Sequence, residues 1–147
     1  TGGGQGGSSA TSGNSGGGGS TAIKVHDIIS ASATFTVGAG GPVAASTSAP
    51  DGGSSSYSDG TNILTASGGT AGNPGAQATG GDINLEGGGS SFNAGGSGVP
   101  ERGGSTFWGG GRSYDTGGAY GAGGGTRGGG TNAIAGQSGV VVIEEHY

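Results

Sequence analysis

The sequence predicts an all-β protein without α-helix, built from glycine-rich extended rods in a layered bundle. The rods are short β-strands, polyglycine II helices, or both. Three observations lead there. Glycine supplies 44 of 147 residues, yet the Gly-X-Y repeat and the proline content of a collagen triple helix are missing. No segment carries the 3.6-residue apolar period of an amphipathic helix. Charge is low: 4 Lys and Arg against 9 Asp and Glu, net −5, whereas disordered chains usually join low hydrophobicity to high net charge.

Leu, Ile, Val and Phe number only 19 of 147. Glycine costs roughly 0.5–1 kcal/mol more backbone entropy than alanine on ordering. So few bulky side chains, at about 1.5–3 kcal/mol each when buried, only offset that glycine penalty. Dense backbone hydrogen bonding between neighbouring segments must supply the rest.

Residues 1–19, "TGGGQGGSSATSGNSGGGG", form a glycine-rich N-terminal rod or linker. Composition alone reads the tract as a flexible linker. Residues 20–147 form the domain proper. In "STAIKVHDIIS", Ile23, Val25, Asp27 and Ile29 alternate with Lys24, His26 and Ile28, the pattern of a half-buried strand. "ATFTVGAGG" sets Phe35 and Val37 opposite Thr34 and Thr36, and Gly38 to Gly41 permits a tight turn. "TNILTASGG" gives a third strand around Ile63 and Leu64. From Gly80 to Gly130, glycine fills 22 of 51 positions in clusters spaced 6 to 8 residues apart. The inserts between them, "DINLE", "SSFNA", "STFW", "RSYDT" and "AYGA", each suit one short extended rod. The run Val140 to Ile143 in "GVVVIEEHY" reads as a strand over 140–146, buried on both faces and paired with 23–29 or 34–37, closing the unit.

Several functions are excluded or disfavoured. Without cysteine there is no disulfide framework and no zinc–thiolate site. No apolar run approaches the 18 residues of a membrane span. One Lys and three Arg make nucleic acid an unsuitable partner. The chain starts inside a glycine tract without Met, as a piece of a longer protein would. "GNSGG" at 13–17 imitates a serine-protease nucleophile motif, but both histidines, His26 and His146, follow it, against the triad order. The sole lysine, Lys24, is preceded by Ile23, which rules out a Walker loop. Asp82, Asn84 and Glu86 alternate as calcium ligands could, but the tandem copies of a calcium repeat are missing. Glu144 and Glu145 face opposite sides of an extended segment and make a poor acid–base pair. The expectation is a non-enzyme without cofactor or metal.

The motifs resemble a family: the glycine-rich C-terminal domain of bacteriophage and prophage tail-fibre proteins. "TFTVGAGG" (34–41), "GGSSSY" (52–57), "LTASGG" (64–69), "GGDINLEGG" (80–88), "GGSTFWGGG" (103–111), "YGAGGG" (120–125) and "GVVVIEEHY" (139–147) resemble its motifs in the same order. The resemblance covers residues 34–147. Upstream strands of the type W-x-V-P-x-G-V, usual in the family, are not in this sequence. A looser resemblance, in glycine rhythm alone, is to the fibre-tip adhesins of T-even-like phages, whose polyglycine rods form a layered core with specificity loops at one end.

The resemblance implies a virion-surface or extracellular protein for host attachment, binding a bacterial surface glycan or an outer-membrane protein. By the same analogy it self-associates as a homotrimer, and residues 1–19 form an ordered rod. The alternatives are a structural fibre or self-assembling filament module without a ligand, and an ice-binding polyglycine bundle, against which the bulky, irregular inserts argue. Because glycine rods offer few side chains, a ligand site belongs on the inserts of 90–121. Its candidates are Trp108, Arg112, Tyr114, Asp115 and Tyr120. In an extended "STFW" neighbouring side chains diverge, so Phe107 is expected to point inward and Trp108 outward. Phe92 is a further candidate, for core plug or sugar platform.

Overall fold

A computed structural model describes residues 1–6, 15–27, 32–44, 49–71, 73–90, 100–113, 117–127 and 133–145. The described residues contain no helix and seven short strands: β1 (Thr21–Ile23), β2 (Thr34–Thr36), β3 (Ser55–Ser58), β4 (Ile63–Ala66), β5 (Ile83–Leu85), β6 (Pro100–Glu101) and β7 (Thr126–Arg127). They form three antiparallel sheets, β1-β5, β2-β3-β4 and β6-β7.

Most of the interior is backbone, and its hydrogen bonds reveal its geometry. Gly2, Gly3, Gly4 and Gln5 donate in turn to Ser20, Gly53, Gln137 and Gly17. The first and fourth bonds therefore reach the same neighbouring rod. Gly16, Gly17, Gly18, Gly19 and Ser20 donate to Gly124, Thr70, Gly88, Gly121 and Ser67; again every third residue returns to the same partner. Three residues per turn, with successive N–H groups fanned outward, is the extended-helix geometry of the polyproline II type, here in its polyglycine form. The rod at 1–6 bonds with 15–20, 38–41, 52–54, 67–70, 121–125 and 137–140. The rod at 15–20 likewise bonds with 1–6, 67–70, 75, 88, 104 and 121–124. Each central rod thus has six neighbours, a local hexagonal net.

Glycine makes that spacing possible. A Cβ on Gly3, Gly4 or Gly16 would fall onto the carbonyls of Ala39, Ala122 or Gln5 in the next rod. The apolar side chains that are buried are small, Ala49, Ala66, Ala78 and Ala122. Gln5, Ser15 and Ser20 are the largest fully buried side chains. Gln5 Nε2 donates to the Ala49 carbonyl at 2.7 Å, and Ser15 Oγ lies 3.3 Å from Thr126 Oγ1. The described parts of the N-terminal tract, 1–6 and 15–19, lie buried at the centre of this net.

At the end of the bundle marked by Thr1 the rods pass into strands. The rod at 15–20 runs into β1, 38–41 follows β2, 52–54 leads into β3, and 67–70 continues from β4. There Phe35 pairs with Tyr57, and Tyr57 with Leu64, so these three share one face of the sheet. The β3–β4 turn is built by Asp59: Oδ1 accepts from the Thr61 and Asn62 amides at 2.9 and 2.6 Å, and Gly60 supplies the positive φ of 89° that the turn needs. The β6–β7 pair lies toward the opposite end, where β7 follows the 121–125 rod.

The C-terminal segment departs from expectation. Residues 139–145 enter no β-ladder, and Val142 and Ile143 are 62% and 53% exposed. β1 pairs with β5 and β2 with β3, not with this run. Instead Val140 exchanges bonds with the first residue: Val140 N donates to Thr1 O at 3.1 Å, and Thr1 N to Val140 O at 2.9 Å. Gly139 donates to Gly38. The segment closes the bundle as one more rod, and rod geometry turns consecutive side chains to different sides, so an unbroken apolar run is only partly covered. Ile28, Ile29, His146 and Tyr147 lie outside the described residues.

Candidate functional site

The bulky residues excluded from this interior stand on its surface, and those around Trp108 are held in place. Thr106 and Gly109 exchange backbone bonds, Thr106 N to Gly109 O at 2.9 Å and Gly109 N to Thr106 O at 3.2 Å. They close a tight turn with Phe107 and Trp108 at its two central positions. A turn, unlike a rod, throws both central side chains outward. Phe107 is therefore 55% exposed and Trp108 42% exposed, which corrects the expectation of an inward Phe107. The two rings meet edge to face, with centroids 5.3 Å apart and planes at 88°, a favoured aromatic geometry.

Trp108 is pinned to the bundle end. Its Nε1–H donates to Thr1 Oγ1 at 2.7 Å, and Thr1 Oγ1 shares a hydrogen bond with Thr21 Oγ1, also 2.7 Å. Thr106 joins the turn to Tyr120: its Oγ1 donates to the Tyr120 carbonyl at 2.8 Å and accepts from Trp108 N at 3.3 Å. Gly121 (φ 71°) then lets the chain re-enter the core, where a Cβ would lie 2.6 Å from Thr1 Cγ2. The Tyr120 ring is left 59% exposed. Phe107 and Trp108 so form an exposed aromatic pair on a rigid base, with the exposed Tyr120 tied to the same turn through its backbone carbonyl.

Arg112 takes another part. Its Nη1 donates to the Ala135 carbonyl at 3.1 Å. With the Gln137 carboxamide oxygen turned toward the guanidinium, as these donors require, Nε and Nη1 donate to it at 3.2 and 2.8 Å. Its stem lies against Gly118. The guanidinium ties the 111–113 and 133–137 segments together. Of the five site residues expected from the sequence, the structure links the Tyr120 backbone to the turn that carries Trp108 and sets Arg112 to the tie between 111–113 and 133–137. Tyr114 and Asp115 lie outside the described residues, as does Phe92.

A second polar group occupies the far tip of the strands. Lys24 Nζ lies 3.3 Å from Asp82 Oδ1, and Asp82 Oδ2 accepts from Val25 N at 3.0 Å. Asn84 is engaged by Gly81. The Val25 amide, then Lys24, hold the Asp82 carboxyl below its ordinary value. His26 Nδ1 lies 2.9 Å from Asp27 O, 3.3 Å from Asn62 Nδ2 and 3.6 Å from Asp59 Oδ2. The Asn62 side chain, then the Asn62 and Thr61 amides, pull the Asp59 carboxyl down to about 2. These bonds knit the segment after β1 to the β3–β4 turn and the start of β5. Among the described residues no group of three His, Cys, Asp or Glu side chains is placed to hold a metal, and no helix is long and apolar enough to cross a membrane.

Sequence reasoning missed Thr1 and Thr106, the hydroxyls that position the aromatics. Only the pairing of a threonine and a glycine around "FW" hints at the turn. It also missed how many apolar side chains are exposed, among them Phe35, Val37 and Ile63. Comparison with protein-family models, curated proteins and solved structures finds no match.

Proposed function

We propose that this chain is a non-enzymatic attachment domain of a phage tail fibre, displayed on a virion surface or outside the cell, whose exposed aromatic side chains contact a bacterial envelope. The observation that carries the reading is the exposed pair Phe107 and Trp108, its tryptophan pinned to Thr1, with the exposed Tyr120 joined to the same turn through its carbonyl. A hydrogen-bonded glycine core has no use for these rings, and a preorganised aromatic surface loses little conformational entropy on binding. The order of glycine motifs along residues 34–147 supports the tail-fibre assignment.

The test is adsorption of the purified chain to a panel of intact bacteria, alongside Trp108→Ala and Tyr120→Ala. Loss of adsorption is expected for both variants, with melting unchanged in Tyr120→Ala and lowered only slightly, without loss of the folded state, in Trp108→Ala, whose ring bonds to Thr1. Full adsorption in both, or adsorption to no strain of the panel, rejects the reading.

A second reading, self-association in a fibre with the homotrimer as its form, is favoured by β2. It lies at an edge of its sheet with Phe35 exposed, and an open edge strand is a template for pairing. Sedimentation equilibrium of the wild type and Phe35→Lys decides it: a wild type that sediments as a monomer rules it out.

A further inference from the structure

We infer that the Trp108 turn takes an uncharged glycan, stacking a sugar ring on the exposed Trp108 while the sugar hydroxyls bond to the open peptide groups of Gly110 and Gly117. This rests on the attachment reading and names its ligand class.

Two independent observations carry it. The first concerns charge. The cation expected at the site, Arg112, directs its Nε and Nη1 donors at Ala135 and Gln137. Lys24 is paired with Asp82. The chain as a whole carries −5. An anionic sugar would approach a molecule of net negative charge, with Arg112 Nε and Nη1 held by neutral acceptors of the chain itself. A neutral sugar needs only an apolar face for its C–H groups and hydrogen-bond partners for its hydroxyls, and the rings offer the former.

The second concerns the backbone beside the rings. Within the net, glycine is forced by the carbonyl of the adjoining rod. At Gly110 and Gly117 nothing lies within 4 Å of where a Cβ would stand, and neither has a positive φ. Fold sterics therefore do not demand glycine at either. Gly110 follows the Phe107–Trp108 turn directly, and Gly117 leads into Ala119 and Tyr120, with Ala119 N reaching the Gly110 carbonyl at 3.5 Å. Both residues are exposed, and neither N–H has an acceptor among the described residues. A bare, solvent-facing peptide group is what a flat polyhydroxyl ligand can approach closely.

The experiment measures the intact chain, Trp108→Ala and Gly110→Val on an array of neutral and acidic bacterial oligosaccharides, with proteoliposomes of glycan-free outer-membrane proteins in parallel. The expected result is binding to neutral oligosaccharides, lowered at least tenfold by each substitution, with unchanged melting of Gly110→Val. Preference for acidic sugars overturns the ligand class. Binding that Trp108→Ala loses and Gly110→Val keeps overturns the peptide contact and leaves the attachment reading standing. Trp108-dependent binding to the proteoliposomes alone overturns the glycan and leaves attachment. Binding of no probe overturns the inference, and adsorption to bacteria then decides the attachment reading separately.

Discussion

Individual glycines of this chain carry unequal duties, and the structure ranks them. At Gly4 a Cβ would land on the Ala122 carbonyl, a backbone group fixed in the next rod. At Gly110 it would meet nothing. Forcing a methyl between packed rods requires the net to open, and overpacking costs about 1–3 kcal/mol or more. Where the space and the φ are permissive, Gly→Ala stabilises by about 0.4–1 kcal/mol, because the unfolded chain loses freedom. Gly4→Ala is therefore expected to lower stability by about 1–3 kcal/mol or more, while Gly110→Ala leaves it unchanged or slightly raised. Denaturant titration of both variants checks this, and equal losses would show that the net yields as easily as the surface. Trp108→Ala should cost only about 1–2 kcal/mol, below the range for a fully buried tryptophan, since the ring is half exposed and Thr1 keeps its bond to Thr21.

Two short segments make separable predictions. The β3–β4 turn hangs on the Asp59 carboxylate, which its partners hold down to about 2 against an ordinary 3.8. A lowered folded-state value means that this stabilisation is present above the ordinary value and is lost as pH falls through about 2. Melting followed from pH 5 to pH 1.5 should therefore fall across pH 4 to 2. Asp59→Ala should melt lower at pH 5 and lose its part of that acid slope; an unchanged slope would assign it to other carboxylates. The C-terminal run makes the opposite case. With Val142 and Ile143 mostly exposed, replacing both by serine should change stability by no more than about 0.5 kcal/mol. A larger loss by thermal denaturation would restore the buried strand that the sequence suggests. Alternation of side chains, a local signal, located β2 and β4 well and put β1 two residues late. It missed β3, because "SSYS" becomes a strand through its neighbours β2 and β4. It failed at 140–143, because an apolar run reports hydrophobicity and not the period of the backbone beneath it. At the site, rod logic expected Trp108 outward, as it is, but not the turn that sends Phe107 outward as well.

Taken together, the molecule reverses the usual plan of a folded domain. Among the described residues its interior is peptide groups, alanine and small polar side chains with Gln5, and large apolar side chains such as Phe35, Ile63 and Phe107 sit at the periphery. Glycine content alone foretold the need for backbone bonding; which rods adjoin, and that two central rods have six neighbours each, depends on contacts between distant parts of the chain that no local pattern encodes. The arrangement has a thermodynamic signature. The heat capacity of unfolding rises with exposed apolar area and falls with exposed polar area, and ordinary domains gain about 12–15 cal/mol/K per residue. Here unfolding exposes many peptide groups and little new apolar surface, since Phe35, Ile63, Phe107 and Tyr120 are exposed already. The expected gain is no more than about half the ordinary value per residue. A small heat capacity change flattens the stability curve, so the chain should lose little stability on cooling or warming until its hydrogen bonds give way. Scanning calorimetry at several pH values gives the quantity directly from the variation of unfolding enthalpy with melting temperature. A normal per-residue value would mean that buried side chains, and not the net of peptide bonds, hold the fold.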